Sequence, residues 1–338
     1  MQQRRPPKNQ THPLNHQENH MKQAKWLAAG VLVGSLALSM TACGGGSSAA
    51  TDGQSKPKVG VILKTTNAYF NAMSEGIAAM PKDDIEFLGV DAPGNGVDAQ
   101  PQITAIEGMV TRGADAIVVA PIGPQVQPAL DRAVSQGVKI VLVNDDLGGW
   151  KGASSYVGTD NYAGASQAGK YLAEQLKNKG TLAIMSGIPG VPALDARVNG
   201  VLDALKGTDI KVVNTLATEC DQTKGVNVMQ AFAASNPDVD AIYSACGPPV
   251  LGAIEARKKS DPFKPGLLLV GFDALPDEAN AILAGTETAS IAQFPKKMGT
   301  TAVTTAAAAA RGDKFEPRID TGTEVVTKDT AQKFTTFQ

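Results

Sequence analysis

From Lys58 onward, short β-branched runs alternate with longer stretches of helical period, and this alternation limits the fold more than any other feature of the chain. The runs cover residues 59–63, 85–90, 116–120, 139–143, 181–185, 210–216, 241–244 and 267–270. Segments of helical period lie between them, at 99–111, 125–136, 162–177 and 224–234. Short apolar runs buried on both faces, alternating with helices, build parallel sheets from strand–helix–strand units. The predicted class is α/β, in two doubly wound halves with a change of half near residues 155–161. With 338 residues, 43% hydrophobic and 19% charged, the chain has ordinary globular composition and material for two cores.

The first 42 residues follow a different logic. Met21-Lys22-Gln23-Ala24-Lys25 is a short basic segment, and an apolar run from 26 to 40 follows it. That run is shorter than the roughly 20 residues a membrane span needs. A basic start, a greasy core and small residues before a cut site make residues 21–42 an export signal. Met40-Thr41-Ala42-Cys43 resembles a bacterial lipobox with Cys43 as the lipidated residue. An ordinary cleaved signal followed by a chance cysteine is the competing reading. Residues 1–20 are polar and rich in Gln, Asn, Pro and His; they read as a disordered extension or as translation from a start codon upstream of the true one, Met21. Residues 43–57 open with Gly44-Gly45-Gly46-Ser47-Ser48, the composition of a flexible tether.

Removing the leader changes the chemistry available. All three histidines (His12, His16, His20) precede Met21, so the mature chain has no histidine to act as general base or metal ligand. Residues before Cys43 hold five of the 31 Lys/Arg and one of the 33 Asp/Glu, which leaves 26 against 32 and a net charge of −6. An acidic exported protein of this kind offers no basic excess for nucleic acid, and no such partner is expected.

Ligands of open α/β sheets bind beyond the carboxyl ends of the strands. Asn67, Asn144, Asp145, Asp146, Asp221 and Asp273 all follow strands directly. Each is open to two readings, helix N-cap or ligand contact, because Asn and Asp favour caps in any case. Their recurrence at one end of successive strands favours a binding site for at least some of them.

At this point the residues resemble a family. Val59-Gly60-Val61-Ile62-Leu63 followed by Asn67-Ala68-Tyr69-Phe70 is similar to the first strand and helix of ribose-type periplasmic sugar-binding proteins. Gly158-Thr159-Asp160-Asn161 with Ala163-Gly164, Lys224-Gly225-Val226-Asn227, Val270-Gly271-Phe272-Asp273 and Ser290-Ile291-Ala292-Gln293 continue the series to about Asp320. The resemblance implies the type I periplasmic binding protein fold, two lobes joined by three crossing strands and closing as a hinge on a ligand; hinge closure in such proteins is a worked example of the general principle. One lobe would hold residues 58–160 plus 294–321, the other 161–293 plus 322–338.

The resemblance also assigns roles. Asn67, Tyr69 and Phe70 match an amide and two aromatic walls of the first lobe. Asn144 and Asp145 match a polar pair after the fourth strand. Arg197 matches an arginine that donates to sugar hydroxyls, with a surface ion pair to Asp195 or Asp203 as the alternative. Asp273 and Gln293 match an acceptor and an amide. These side chains suit a polyol, because hydroxyls both donate and accept and planar Asp, Asn, Gln and Arg engage two at once.

Two departures bear on the ligand. Cys220 stands where ribose-type proteins often carry an aromatic residue, and Cys246 where they often carry asparagine. They are the only cysteines after Cys43, an even pair in an oxidising compartment, so a Cys220–Cys246 disulfide lining the cleft is expected rather than two unpaired thiols. Losing a stacking face and a hydroxyl partner points away from ribose itself, toward a sugar alcohol of four or five carbons or another small monosaccharide. Trp150 is left between walling the cleft and packing locally.

The expected function is a monomeric solute-binding lipoprotein that serves an ABC permease and its ATPase, held to the membrane by lipid at the outer face of the cytoplasmic membrane or in the periplasm. A sensor of the same fold signalling to a membrane partner, or an enzyme acting on a carbohydrate, are the alternatives. No G-x-S-x-G, Walker loop or complete dinucleotide fingerprint supports an enzyme, and no cofactor or metal is expected.

Overall fold

In the computed structural model, described for residues 55–94, 96–259 and 263–338, the chain first builds a parallel sheet. It runs β1 (Lys58–Ile62), α1 (Ala68–Ala79), β2 (Glu86–Asp91), α2 (Gln100–Thr111), β3 (Ala116–Val119), α3 (Gln127–Ser135), β4 (Lys139–Val143) and β5 (Ala153–Gly158). It then crosses to a second half: α4 (Asn161–Gln175), β6 (Lys179–Ser186), α5 (Pro192–Ala204), β7 (Asp209–Ala217), α6 (Gln222–Ser235), β8 (Ala241–Ser244), α7 (Gly247–Lys259), β9 (Leu268–Asp273), α8 (Pro276–Ala284) and β10 (Ala289–Ala292). Helix α9 (Pro295–Arg311) and β11 (Arg318–Asp320) return to the first sheet, and β12 (Glu324–Val326) ends in the second.

The first sheet has the order β11-β5-β4-β3-β1-β2 and the second β12-β10-β9-β8-β6-β7. Every strand pair is parallel except β10 with β12. The central strands β3 and β8 are buried at each residue, as apolar strands covered on both faces must be. Val59, Val61, Val118 and Val141 face α1 and α9 on one side of the first sheet, while Ile62, Ile117, Ile140 and Leu142 face α2 and α3 on the other. The second sheet repeats this with Ile184, Tyr243 and Phe272 toward α4 and α5, and Met185, Ile242 and Leu269 toward α6 and α7. The α/β, doubly wound expectation is met in both halves.

Two expectations need correction. The run at 210–216, read as buried on both faces, forms β7, a sheet edge whose residues are mostly exposed, Val212 and Val213 included. It has β6 as its one neighbour in the sheet, so apolar content alone did not imply burial. Strands β5, β10, β11 and β12 escaped the reading by apolar run. Ser154 and Ser155 interrupt the start of β5, β10 is four residues with a serine inside it, and β11 and β12 span three residues each, too few to show a period.

The chain passes between the halves three times, after β5, after β10 and after β11. The predicted leader 21–42, the extension 1–20, Cys43 and residues 44–54 of the tether lie outside the described residues. Among the described residues no helix is long and apolar enough to cross a membrane.

Candidate functional site

The carboxyl ends of β1, β4, β6, β8, β9 and β10 open on one cleft of about 460 Å³ lined from both halves. Asn67, Tyr69, Phe70, Asn144, Asp145, Arg197, Cys220, Cys246, Asp273 and Gln293 all line it. Residues up to 226 positions apart in the chain, Asn67 and Gln293, therefore reach one volume because parallel strands deliver their ends to the same side.

The post-strand polar residues separate by role. Asn67 caps α1, its Oδ1 accepting from the Phe70 N–H at 3.0 Å, and also faces the cleft. Asp221 caps α6, accepting from the Lys224 N–H at 2.7 Å, and does not line the cleft. Asp146 turns away to Arg318 at 2.9 Å. Asn144 and Asp273 face the cleft at φ values of +64° and +110°, conformations that side chains adopt rarely and that aim these two inward.

At the base of the cleft Arg197 is nearly fully buried. Its Nε donates to Asn161 Oδ1 at 2.8 Å, and its Nη1 donates to the Ala245 carbonyl at 2.8 Å and to Asp273 Oδ1 at 3.1 Å. The guanidinium lies 3.8 Å from the centre of the Phe272 ring. Among the described residues these contacts leave the Nη2 hydrogens without a protein acceptor, on a residue that lines the cleft. Neither Asp195 nor Asp203 is its partner: Asp195 accepts from the Gly190 N–H, and Asp203 pairs with Lys206 and Tyr162.

Gln293 bridges the halves. Its Nε2 donates to Asp273 Oδ1 at 2.6 Å, while its Oε1 accepts from Thr159 at 2.7 Å and from the Tyr69 hydroxyl at 3.4 Å. Burial, with the Asp273 charge adding to it, pushes the Tyr69 phenol well above its ordinary value, so this hydroxyl remains a donor. On the first side Asn144 Nδ2 donates to Asp145 Oδ2 at 2.8 Å, and Lys64 Nζ reaches the same oxygen at 2.7 Å.

Cys220 and Cys246 are joined as a disulfide with Cα atoms 5.5 Å apart, in the cleft wall. Beside it stand Val191, Leu194, Pro248 and Leu275, so the second half presents an aliphatic wall above its polar base. Trp150 packs locally, its Nε1 donating to Asp131 at 2.8 Å, and takes no part in the lining.

Sequence reasoning missed Lys64, Asn161 and the aliphatic wall. Lys64 follows β1 directly, the same position that singled out Asn144 and Asp273, but lysine reads as a solvated charge. Asn161 stood inside the quoted Gly158-Thr159-Asp160-Asn161 segment. Val191 and Leu194 carry no signal, since apolar residues at the start of a helix look like core. Among the described residues no group of three His, Cys, Asp or Glu is placed to hold a metal ion.

With this geometry in place, comparison with known proteins gives a consistent result. Residues 59–314 match the model of the periplasmic binding protein domain, Peripla_BP_4. The ribose import binding protein RbsB of Haemophilus influenzae is 29% identical over 265 residues, covering 78% of this chain and 88% of that protein. A xylitol-binding protein of Mycolicibacterium smegmatis is 28% identical over 261 residues, 75% of this chain and 71% of that protein. Among solved structures, a periplasmic solute-binding protein of an ABC transporter from Actinobacillus succinogenes with bound D-allose superposes with a TM-score of 0.76 at 27% identity, covering 82% of this chain and all of that one.

Proposed function

The chain belongs to the periplasmic binding protein family as a sugar-binding import protein, and we propose that its cleft takes a sugar alcohol of four or five carbons or a small monosaccharide. One observation carries the proposal: Arg197, Asp273 and Gln293 form one bonded base beneath a cleft whose opposite side offers Asn67, Asn144, Asp145 and Lys64. Vicinal hydroxyls match paired donors and acceptors of this kind, and the unused Nη2 hydrogens of Arg197 await an oxygen. Hydrogen bonds to charged groups contribute about 1.5–3 kcal/mol each, so a few of them decide specificity. Tyr69 and Phe70 supply apolar faces for the C–H side of the ligand.

The lobes implied are residues 58–160 with 294–321, and 161–293 with 322–338, closing on the ligand about the three crossings. The relatives are solute-binding proteins, and this chain is read as a binder rather than an enzyme, delivering its ligand to a permease and ATPase. Lipid on Cys43 and the Gly/Ser tether would keep it at the membrane surface after export.

A thermal-shift panel of pentoses, hexoses, tetritols and pentitols tests the reading. A matching ligand at about 100 times its dissociation constant stabilises the fold by about 2.7 kcal/mol, readily seen in Tm. A flat response to every compound would remove the carbohydrate assignment.

A further inference from the structure

Directly behind the cleft, two carboxyl groups are buried together. Glu278 in α8 is fully buried, and Glu287 in the turn before β10 is 3% exposed. Glu278 is well placed: its Oε1 accepts from Ser290 Oγ at 2.8 Å and its Oε2 from the Leu275 N–H at 2.9 Å. Glu287 is not: among the described residues neither oxygen accepts a well-formed hydrogen bond, and the Gly271 amide is the one backbone donor close to it. The Glu278 carboxyl lies within hydrogen-bonding reach of it, but two carboxylates cannot bond without a proton between them.

The surroundings supply no positive charge. Neither carboxyl has a lysine or arginine partner among the described residues. From β9, Asp273 faces the pair with a negative charge, itself bridged to Arg197 of α5. From β10 and α7 the neighbours are Ser290 and Gly247. Ala331 and Phe334 pack against α8 from the C-terminal segment, where Lys333 is exposed, and Asp277 on α8 is exposed as well. Burial, with Asp273 adding to it, pushes Glu278 up to about 8. Burial and the neighbouring Glu278 push Glu287 well above the usual carboxylate range, with the Gly271 amide partly opposing.

The pair touches the part of the cleft that needs support most. Asp273 and Ala274 have φ values of +110° and +45°, strained for residues with a side chain. Ser290 Oγ, which donates to Glu278, accepts from the Ala274 N–H at 3.1 Å, and the next amide, Leu275, donates to Glu278 directly. A Cβ at Gly271 would collide with both carboxyls, and one at Gly247 would collide with Glu278, so both glycines make room for the pair.

We propose that Glu278 and Glu287 form a proton-held strut that positions the Asp273–Ala274–Leu275 corner, so that ligand affinity declines as the strut ionises. This rests on the cleft being the binding site. Glu278 and Glu287 are positioning residues, since neither lines the cleft. Both acids titrate near the ordinary value of about 4.3 when unfolded. Their folded values are higher, so the stability they contribute is complete below that pH and is lost as pH rises through about 8. No histidine follows His20, so few other groups of the folded part compete in this window.

The test compares the full protein with Glu287→Gln, an isostere whose amide donates to Glu278 and leaves no shared proton. Melting temperature, infrared absorption of protonated carboxyl groups, and binding of D-ribose, D-allose and xylitol are measured from about pH 6 to about pH 9. The wild type should show the protonated-carboxyl band at the lower pH, lose Tm as pH rises, and bind about tenfold more weakly at the upper end. The variant should lose the Glu287 share of the band, keep the Glu278 share that burial and Asp273 sustain, and show a shallower dependence of binding on pH than the wild type. A wild type without the band, or a variant that keeps the wild-type slope, overturns the strut. If the variant does not fold, the wild-type band and melting slope decide. If none of the three sugars binds at any pH, the site reading fails, and the same two measurements still judge the strut.

Discussion

Arg197 and Asp273 meet at 3.1 Å across 76 residues of chain, and they hold each other in place at the base of the cleft. Neither can be moved alone. Arg197 is fixed by Asn161, by the Ala245 carbonyl and by the Phe272 ring, and Asp273 by Gln293 and the Gly247 amide. Such a pair contributes geometry more than stability, because the attraction it gains is largely offset by the hydration it gives up. Its value lies in presenting Arg197 Nη2 at a fixed angle.

Replacing Asp273 with alanine leaves the Arg197 cation buried without its partner. Loss of one member of a buried pair costs about 3–5 kcal/mol. The residual exposure of both side chains, 9% and 17%, places the expected loss at the low end, about 3 kcal/mol. Sugar affinity should fall at least about 100-fold. Urea unfolding and calorimetric titration read the two effects separately.

Arg197→Lys should not rescue binding. Lysine keeps the charge but loses the guanidinium contact over the Phe272 ring and the bond from Nε to Asn161. Affinity should drop by about tenfold or more, with the unliganded fold retained; equilibrium titration and circular dichroism check this.

Lys64→Met removes the cation that neutralises Asp145. The pair is partly exposed, with side chains at 25% and 22%, so stability should change by no more than about 1 kcal/mol. Ligand affinity should fall more than stability, because Asp145 then meets the ligand as an unpaired anion. Binding measured in low and high salt, beside a melting curve, separates the two.

The Cys220–Cys246 bond closes a loop of 26 residues. Cross-linking a loop of that length stabilises by about 2–4 kcal/mol in the chain-entropy model. Reduction should lower the urea midpoint accordingly and loosen the wall formed with Leu194 and Pro248. Mass spectrometry with and without reductant, followed by unfolding, tests this; an unchanged midpoint counts against it.

Much of this was legible in the residues. Buried strands announce themselves by apolar runs, so six of the eight predicted runs form covered strands, while the runs at 85–90 and 210–216 form the sheet edges β2 and β7. Asp273 and Asn144 stood out because strand ends in parallel sheets are few and polar residues there are conspicuous. Lys64 was passed over since its pairing with Asp145 depends on where β1 and β4 lie, which no local pattern states. The Glu278–Glu287 pair was invisible for a related reason. Acidic residues nine positions apart read as solvated, and only the packing of α8 beneath β9 and β10 buries them. The choice between cap and ligand contact at Asp221 and Asn67 likewise turned on tertiary placement.

Isothermal titration of the best compound from the sugar and polyol panel, in wild type and in Asp273→Ala, tests the central claim most directly. The account expects saturable one-to-one binding in the wild type and loss of nearly all of it in the variant, with the unliganded variant still folded. No heat from any panel compound, or the same isotherm in both proteins, would contradict it.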